Sequence, residues 1–162
     1  MPSDKKPLLF KRRVLRRKDA NRLKEEALRF FVTGKYRTIS QAELEDGSMI
    51  YLFDGEMLLT RRDGILLPTL KNPNLGRFPS VIVDMGAIPY VCNGADVMAP
   101  GIVEVRGEFE KDALLIIRDV QHGKALGVGM ALESSEGMKE MKRGKAVVNL
   151  HHVGDKLWEA IN

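Results

Sequence analysis

The chain has 162 residues, of which 44% are hydrophobic and 30% charged, enough apolar material to bury the core of one ordinary domain or two small ones. No apolar run approaches the roughly 20 residues of a membrane-spanning helix, and Leu8-Leu9-Phe10 is far shorter than a secretory h-region of about 7–15 residues. The single cysteine, Cys92, excludes an internal disulfide and any structural zinc site needing two thiolates from this chain, so a cytoplasmic location is expected.

The net charge is +4, but its distribution is uneven: residues 1–37 hold 13 basic and 4 acidic side chains, whereas residues 79–162 hold 9 and 12. The densest stretch runs from Lys11 through Arg12, Arg13, Arg16 and Arg17 to Lys18. A cluster of this density attracts polyanions, chiefly nucleic acid or anionic lipid. The bland alternative is a solvated arm with no partner.

Pro2 and Pro7 predict a loose start. Asp19 is placed to cap a helix over about Ala20–Thr33, with Gly34 stopping it. Leu23, Ala27, Phe30 and Phe31 share one face of that helix, a core stripe rather than a base-stacking platform. Next, Asp46-Gly47, Asp54-Gly55 and Asp63-Gly64 recur at intervals of eight or nine residues. Asp-Gly supplies the positive φ of tight hairpins, so Ser48–Phe53, Glu56–Arg61 and Ile65–Leu67 read as a β-meander packed on the helix. Lys71 to Pro79, with two prolines, a glycine and two asparagines, reads as a short linker.

The second half opens with a strand at Ser80–Asp84 and a short helix over Gly86–Asn93, in which Pro89 is tolerable near the first turn. Ile102–Val105 and Ala113–Ile117 are further strands. In Gly123–Leu132, Leu126, Val128, Met130 and Leu132 alternate with Ala125, Gly127, Gly129 and Ala131, so one face is large and the other nearly bare. The large face should fill a core; another strand or helix, or a ligand backbone, could approach the bare one. Ser134 should cap a short helix ended by Gly144, Ala146–Val153 is a last strand, and Leu157-Trp158 docks the tail. The whole is an α+β chain of two domains: residues 1–78, an N-terminal helix plus antiparallel β-meander, and residues 79–162, a small mixed barrel.

Catalytic chemistry finds little support. His151 and His152 are neighbours in a strand and point to opposite faces, so they cannot share a metal, and His122 precedes a turn. Cys92 reads as a small buried hydrophobe. Gly127-Val128-Gly129 superficially resembles a dinucleotide fingerprint, yet it lies inside an alternating strand rather than at a strand-to-helix turn. No nucleophile–base pair is apparent, and no enzyme activity, cofactor or metal is expected. What remains is Asn93 to Ile102, where a helix ends at glycine and Pro100-Gly101 turns into a strand. Small residues at such a junction expose backbone N–H groups that can reach phosphates or base edges, although a tight barrel corner would look the same.

Gly94-Ala95-Asp96-Val97-Met98-Ala99-Pro100-Gly101-Ile102, preceded by Val83-Asp84-Met85-Gly86-Ala87, resembles the signature of the PUA domain, an RNA-binding pseudo-barrel. The resemblance extends through Gly127-Val128-Gly129 to Ala146–Asp155 and covers residues 79–157. Leu67-Pro68-Thr69-Leu70, following a meander, resembles the malignant T-cell-amplified sequence family and its archaeal relatives, and the basic N-terminus suggests an archaeal member. The resemblance implies a C-terminal PUA-type mixed pseudo-barrel and a non-catalytic protein, and the chain is expected to be a monomer. It further implies a role in translation initiation or ribosome recycling, on structured RNA such as a tRNA acceptor region or rRNA. The small ribosomal subunit or a translation factor is the implied partner, with no membrane. Carried over, the RNA-binding positions are Asn93, Gly94, Ala95, Asp96, Met98, Pro100 and Gly101, with Arg143 and Lys145 near the last strand. The chain departs from the pattern in charge: its second half is net negative. Lys11, Arg12, Arg13, Arg16 and Arg17 are therefore expected to supply the electrostatic anchor. The alternative is a protein-interaction adaptor for a translation factor with only incidental RNA contact.

Overall fold

A computed structural model describes residues 8–162, and the expected loose start at Pro2 and Pro7 lies outside them. The chain divides into two compact units, residues 1–74 with Lys156–Asn162, and residues 75–155. No helix among the described residues is long and apolar enough to cross a membrane.

In the first unit, five antiparallel strands lie in sequence order: β1 (Phe10–Val14), β2 (Ile39–Glu43), β3 (Met49–Phe53), β4 (Glu56–Arg62) and β5 (Ile65–Pro68). The Asp-Gly reading holds where the loops are two residues long. Asp54 and Gly55 have φ of 50° and 88°, Asp63 and Gly64 have 49° and 79°, and positive φ at both central positions is what a type I′ hairpin demands. Helix α1 (Arg17–Ala27) begins three residues earlier than expected. Arg16 is its N-cap and Asp19 sits in its first turn, where a carboxylate faces the unsatisfied N–H groups of the helix start. Its continuation ends at Phe31, itself at φ 60°, before Gly34 is reached. Leu23, Ala27 and Phe30 are buried as the stripe predicts.

The C-terminal helix α4 (Lys156–Ile161) belongs to this first unit. Leu157, Ala160 and Ile161 share a core with Ala42, Leu44, Ile50 and Leu52. The expected division at residue 78 places the last residues in the second domain; they pack instead against β2 and β3. Burying a side chain such as Leu157 stabilises by about 1.5–3 kcal/mol, and Lys156 adds an exposed pair with Glu45 at 3.0 Å that contributes little by comparison.

The second unit is a curled six-stranded sheet with two short helices. Its strands are β6 (Ser80–Val83), β7 (Val97–Met98), β8 (Ile102–Arg106), β9 (Leu114–Asp119), β10 (Ala125–Ala131) and β11 (Lys145–His152), in the order β7-β11-β10-β9-β6-β8. Only β6 and β9 run parallel; every other pairing is antiparallel. Helices α2 (Ile88–Val91) and α3 (Ser135–Glu140) complete it, and Ser134 caps α3 by accepting the Gly137 N–H. The core gathers Val81, Val83, Leu115, Ile117, Ala146 and Val147. This is the mixed α+β pseudo-barrel the sequence predicts.

Strand β10 decides between the two neighbours its bare face could have: that face is as deeply buried as the large one. A Cβ on Gly127 would lie 2.7 Å from the His151 carbonyl, and one on Gly129 would collide with Val147 and lie 2.8 Å from the Val148 carbonyl. What approaches is therefore β11, not a ligand. Glycine at these places lets β10 and β11 curl together at the bulge between Val128 and Gly129, as closure of a small barrel needs.

A candidate RNA-binding corner at the end of helix α2

Helix α2 is only four residues long, with Pro89 in its first turn. It closes in a tight set of hydrogen bonds: Asn93 N–H to Tyr90 O at 3.1 Å, Gly94 N–H to Val91 O at 3.0 Å and Ala95 N–H to Tyr90 O at 2.9 Å. Gly94 has φ of 91°, a conformation that costs any residue with a Cβ. These bonds correct the expectation of free backbone donors here. The N–H groups of Asn93, Gly94 and Ala95 are occupied in ending the helix, so the corner presents shape and side chains rather than a nest of amides.

The last strand fastens this corner from below. Asn149 donates its backbone N–H to the Asp96 carboxylate at 2.8 Å, and its side-chain amide donates to Val91 O and Ala95 O, both at 3.0 Å. The Lys145 ammonium lies 2.8 Å from the other Asp96 oxygen. Burial raises the cost of ionising Asp96, but the Lys145 ammonium and the Asn149 N–H outweigh it and hold the carboxyl below its ordinary value. Met98 pairs with Lys145 in register, and Ala99 N–H donates to Gly144 O at 2.8 Å. The two segments singled out in the sequence, 93–101 and 143–145, are thus brought together. Asn93, Gly94, Ala95, Met98, Pro100, Arg143 and Lys145 are exposed, while Asp96 and Gly101 are half-buried.

Two residues of this corner are not among the expected RNA-binding positions, although both lie in the last-strand segment that carries the PUA resemblance. One is Asn149, the strut just described. The other is His152, whose Nε2 lies 3.2 Å from where a Cβ on Gly94 would stand. Its Nδ1 is 2.9 Å from the Val153 carbonyl. With the proton on Nδ1, Nε2 is left as an acceptor beneath the bare glycine. His151, on the opposite face, is fully buried and pairs through Nδ1 with Asp155 at 2.8 Å. Their roles at the corner come from strand pairing, since both meet it across more than 50 residues.

The basic cluster falls in the first unit. Lys11, Arg12 and Arg13 lie on β1, an edge strand exposed along its whole length, and Arg16 and Arg17 follow at the start of α1, both exposed. Lys11 lies 3.5 Å from Glu43. Among the described residues no group of three or more His, Cys, Asp or Glu could hold a metal, and partial burial pushes the Cys92 thiol up.

Residues 79–153 match the PUA domain family, so the second unit is a PUA domain, a class of RNA-binding module. The chain is 39% identical over 155 residues to an uncharacterized protein of Methanocaldococcus jannaschii, covering 91% of this chain and 95% of that one. It is 33% identical to translation machinery-associated protein 20 of Schizosaccharomyces pombe, covering 78% and 74%. A hypothetical protein of Pyrococcus horikoshii, known from a crystal structure, superposes with a TM-score of 0.77 at 32% identity, over 93% of this chain and 99% of that one. The chain belongs to the family of translation machinery-associated protein 20 and the malignant T-cell-amplified sequence proteins.

Proposed function

We propose that this protein binds structured RNA of the translation apparatus, a tRNA acceptor region or rRNA, without catalysing a reaction on it. The observation that carries this reading is the rigid, exposed corner at Gly94, braced by Asn149 and Asp96 and backed by His152. A corner whose Asn93, Gly94 and Ala95 amides are spent in ending the helix selects by shape, and an unpaired end of folded RNA offers 2′-hydroxyls and base edges to the Asn93 side chain and to His152 Nε2. Met98, Pro100 and Arg143 extend the surface, with Ala95 and Gly101 keeping its relief low. Lys145 is tied to Asp96 and contributes its charge at a fixed place. Lys11, Arg12, Arg13, Arg16 and Arg17 provide phosphate contacts from the first unit, supplying the charge that the net-acidic second unit lacks. Family membership and the PUA domain support a translation-associated role.

Titration of labelled tRNA over a range of salt concentrations tests this. Affinity should fall with a log–log slope of about 0.7–0.9 per phosphate neutralised. A flat response would show that the arginines hold no phosphate. The exposed edge of β1, with Phe10 and Val14 on it, favours a second reading, an adaptor that pairs this edge with a strand of another factor. A complex that survives nuclease and high salt would support it.

A further inference from the structure

The second unit is net acidic, yet three of its four arginines line one cleft. Arg77, Arg106 and Arg118 line an open cleft of about 510 Å³ together with Phe78, Pro79 and Glu108. This volume lies within the range of small-ligand sites. It lies at the far end of β8 from the Gly94 corner: Gly101 leads into the strand, and Arg106, its last residue, pairs with Ser80. The rim is built closely. Gly107, at φ 88°, allows its backbone to approach Pro79, where an added Cβ would lie 3.1 Å from the proline Cβ. Arg118 is half-buried and anchored through one N–H, which donates to Gly123 O at 2.8 Å. A guanidinium has five N–H groups in a planar fork, so this anchor aims the fork without exhausting it. Arg106 pairs with Glu104 at 3.1 Å, with both side chains more than half exposed. Such a surface pair is worth little and yields to a better acceptor.

We propose that this cleft is a nucleotide-phosphate site. Arg106 and Arg118 hold the phosphate oxygens, because guanidinium forks match that geometry and form strong charge-assisted bonds. The apolar wall of Phe78 and Pro79 carries the attached sugar or base. The phosphate belongs either to a free nucleotide or to one residue of an RNA strand.

The test uses the full chain labelled with ¹⁵N and three probes: inorganic phosphate, uridine monophosphate and uridine. Phosphate and the nucleotide should shift the amides of Ser80, Gly107 and Gly123, with the nucleotide binding more tightly and uridine alone causing no saturable shift. Arg106→Glu, at an exposed position that leaves folding intact, should weaken nucleotide binding about tenfold. Arg118→Lys, which keeps the charge and loses the fork, should weaken it as well. A single-stranded oligonucleotide that shifts the same amides more tightly than the mononucleotide assigns the phosphate to RNA; the reverse order assigns it to a free nucleotide. Absence of saturable shifts with phosphate and nucleotide, an equal response to chloride, or shifts untouched by Arg106→Glu would overturn the site. Because the readout is local to this cleft, it stands or falls independently of tRNA binding at Gly94.

Discussion

The Asn149 backbone N–H meets the Asp96 carboxylate at 2.8 Å, joining the last strand of the pseudo-barrel to the loop that follows its first helix. This is a hydrogen bond to an ionised acceptor, and Lys145 closes on the same carboxylate. The corner is therefore rigid before any ligand arrives, and a preorganised surface loses little entropy on binding.

Removing that acceptor should loosen the corner. Asp96→Ala leaves the Asn149 N–H without its partner and frees Lys145, which should cost about 1–3 kcal/mol. A chemical denaturation curve measures the loss. RNA affinity should fall too, although the exposed faces of Asn93 and Arg143 are unchanged in chemistry. The pH dependence has a defined direction. Asp96 ionises more readily in the folded chain than in the unfolded one, so its contribution is complete above its unfolded value of about 3.9. It is lost as pH falls through the lower folded value. Asp96→Asn should flatten stability against pH in that acidic window and leave its shape near neutrality unchanged.

Gly94 tests whether the backbone shape matters. At φ 91° a β-branched side chain is strained, and its Cβ would press on His152 Nε2. Gly94→Val should cost about 1–2 kcal/mol of stability and sharply reduce RNA affinity. Normal folding together with normal binding would show that the corner neither has a special geometry nor touches RNA.

Arg16→Glu with Arg17→Glu should leave the melting temperature nearly unchanged, since both side chains are exposed at the start of α1. It should lower RNA affinity and reduce the salt slope by about 0.7–0.9 for each phosphate no longer neutralised. Filter binding at several salt concentrations reads both quantities.

Much of this architecture can be read from local signals, and what cannot be read is non-local. The Asp54-Gly55 and Asp63-Gly64 hairpins announce themselves because positive φ at two successive residues demands particular side chains. Leu23, Ala27 and Phe30 declare a helix face through their spacing. Strand β1 gives no such sign: exposed on every residue, it has no apolar alternation to display. The start of α1 is ambiguous in the sequence because Asp19 serves equally well as a cap or in a first turn. Helix α4 carries an apolar face whose partners, Ala42 and Ile50, lie more than 100 residues earlier, so nothing nearby reveals its unit. At the corner, the small residues from Gly94 to Gly101 are visible as a pattern, whereas Asn149 and His152 acquire their roles only through strand pairing.

Leu157 provides a check on the unit boundaries. It is fully buried among Ala42, Leu44, Ile50 and Leu52. Leu157→Ala should destabilise the first unit by about 2–5 kcal/mol. Hydrogen exchange resolved by residue should quicken in β2 and β3 and leave β9 and β10 protected.

The most direct measurement is ultraviolet crosslinking of the full chain to tRNA, with the attached peptides identified by mass spectrometry. The account predicts crosslinks within residues 93–101, at Arg143 and at His152, together with a second group over residues 11–17. Crosslinks confined to other surfaces, with the Gly94 corner unmarked, would contradict it.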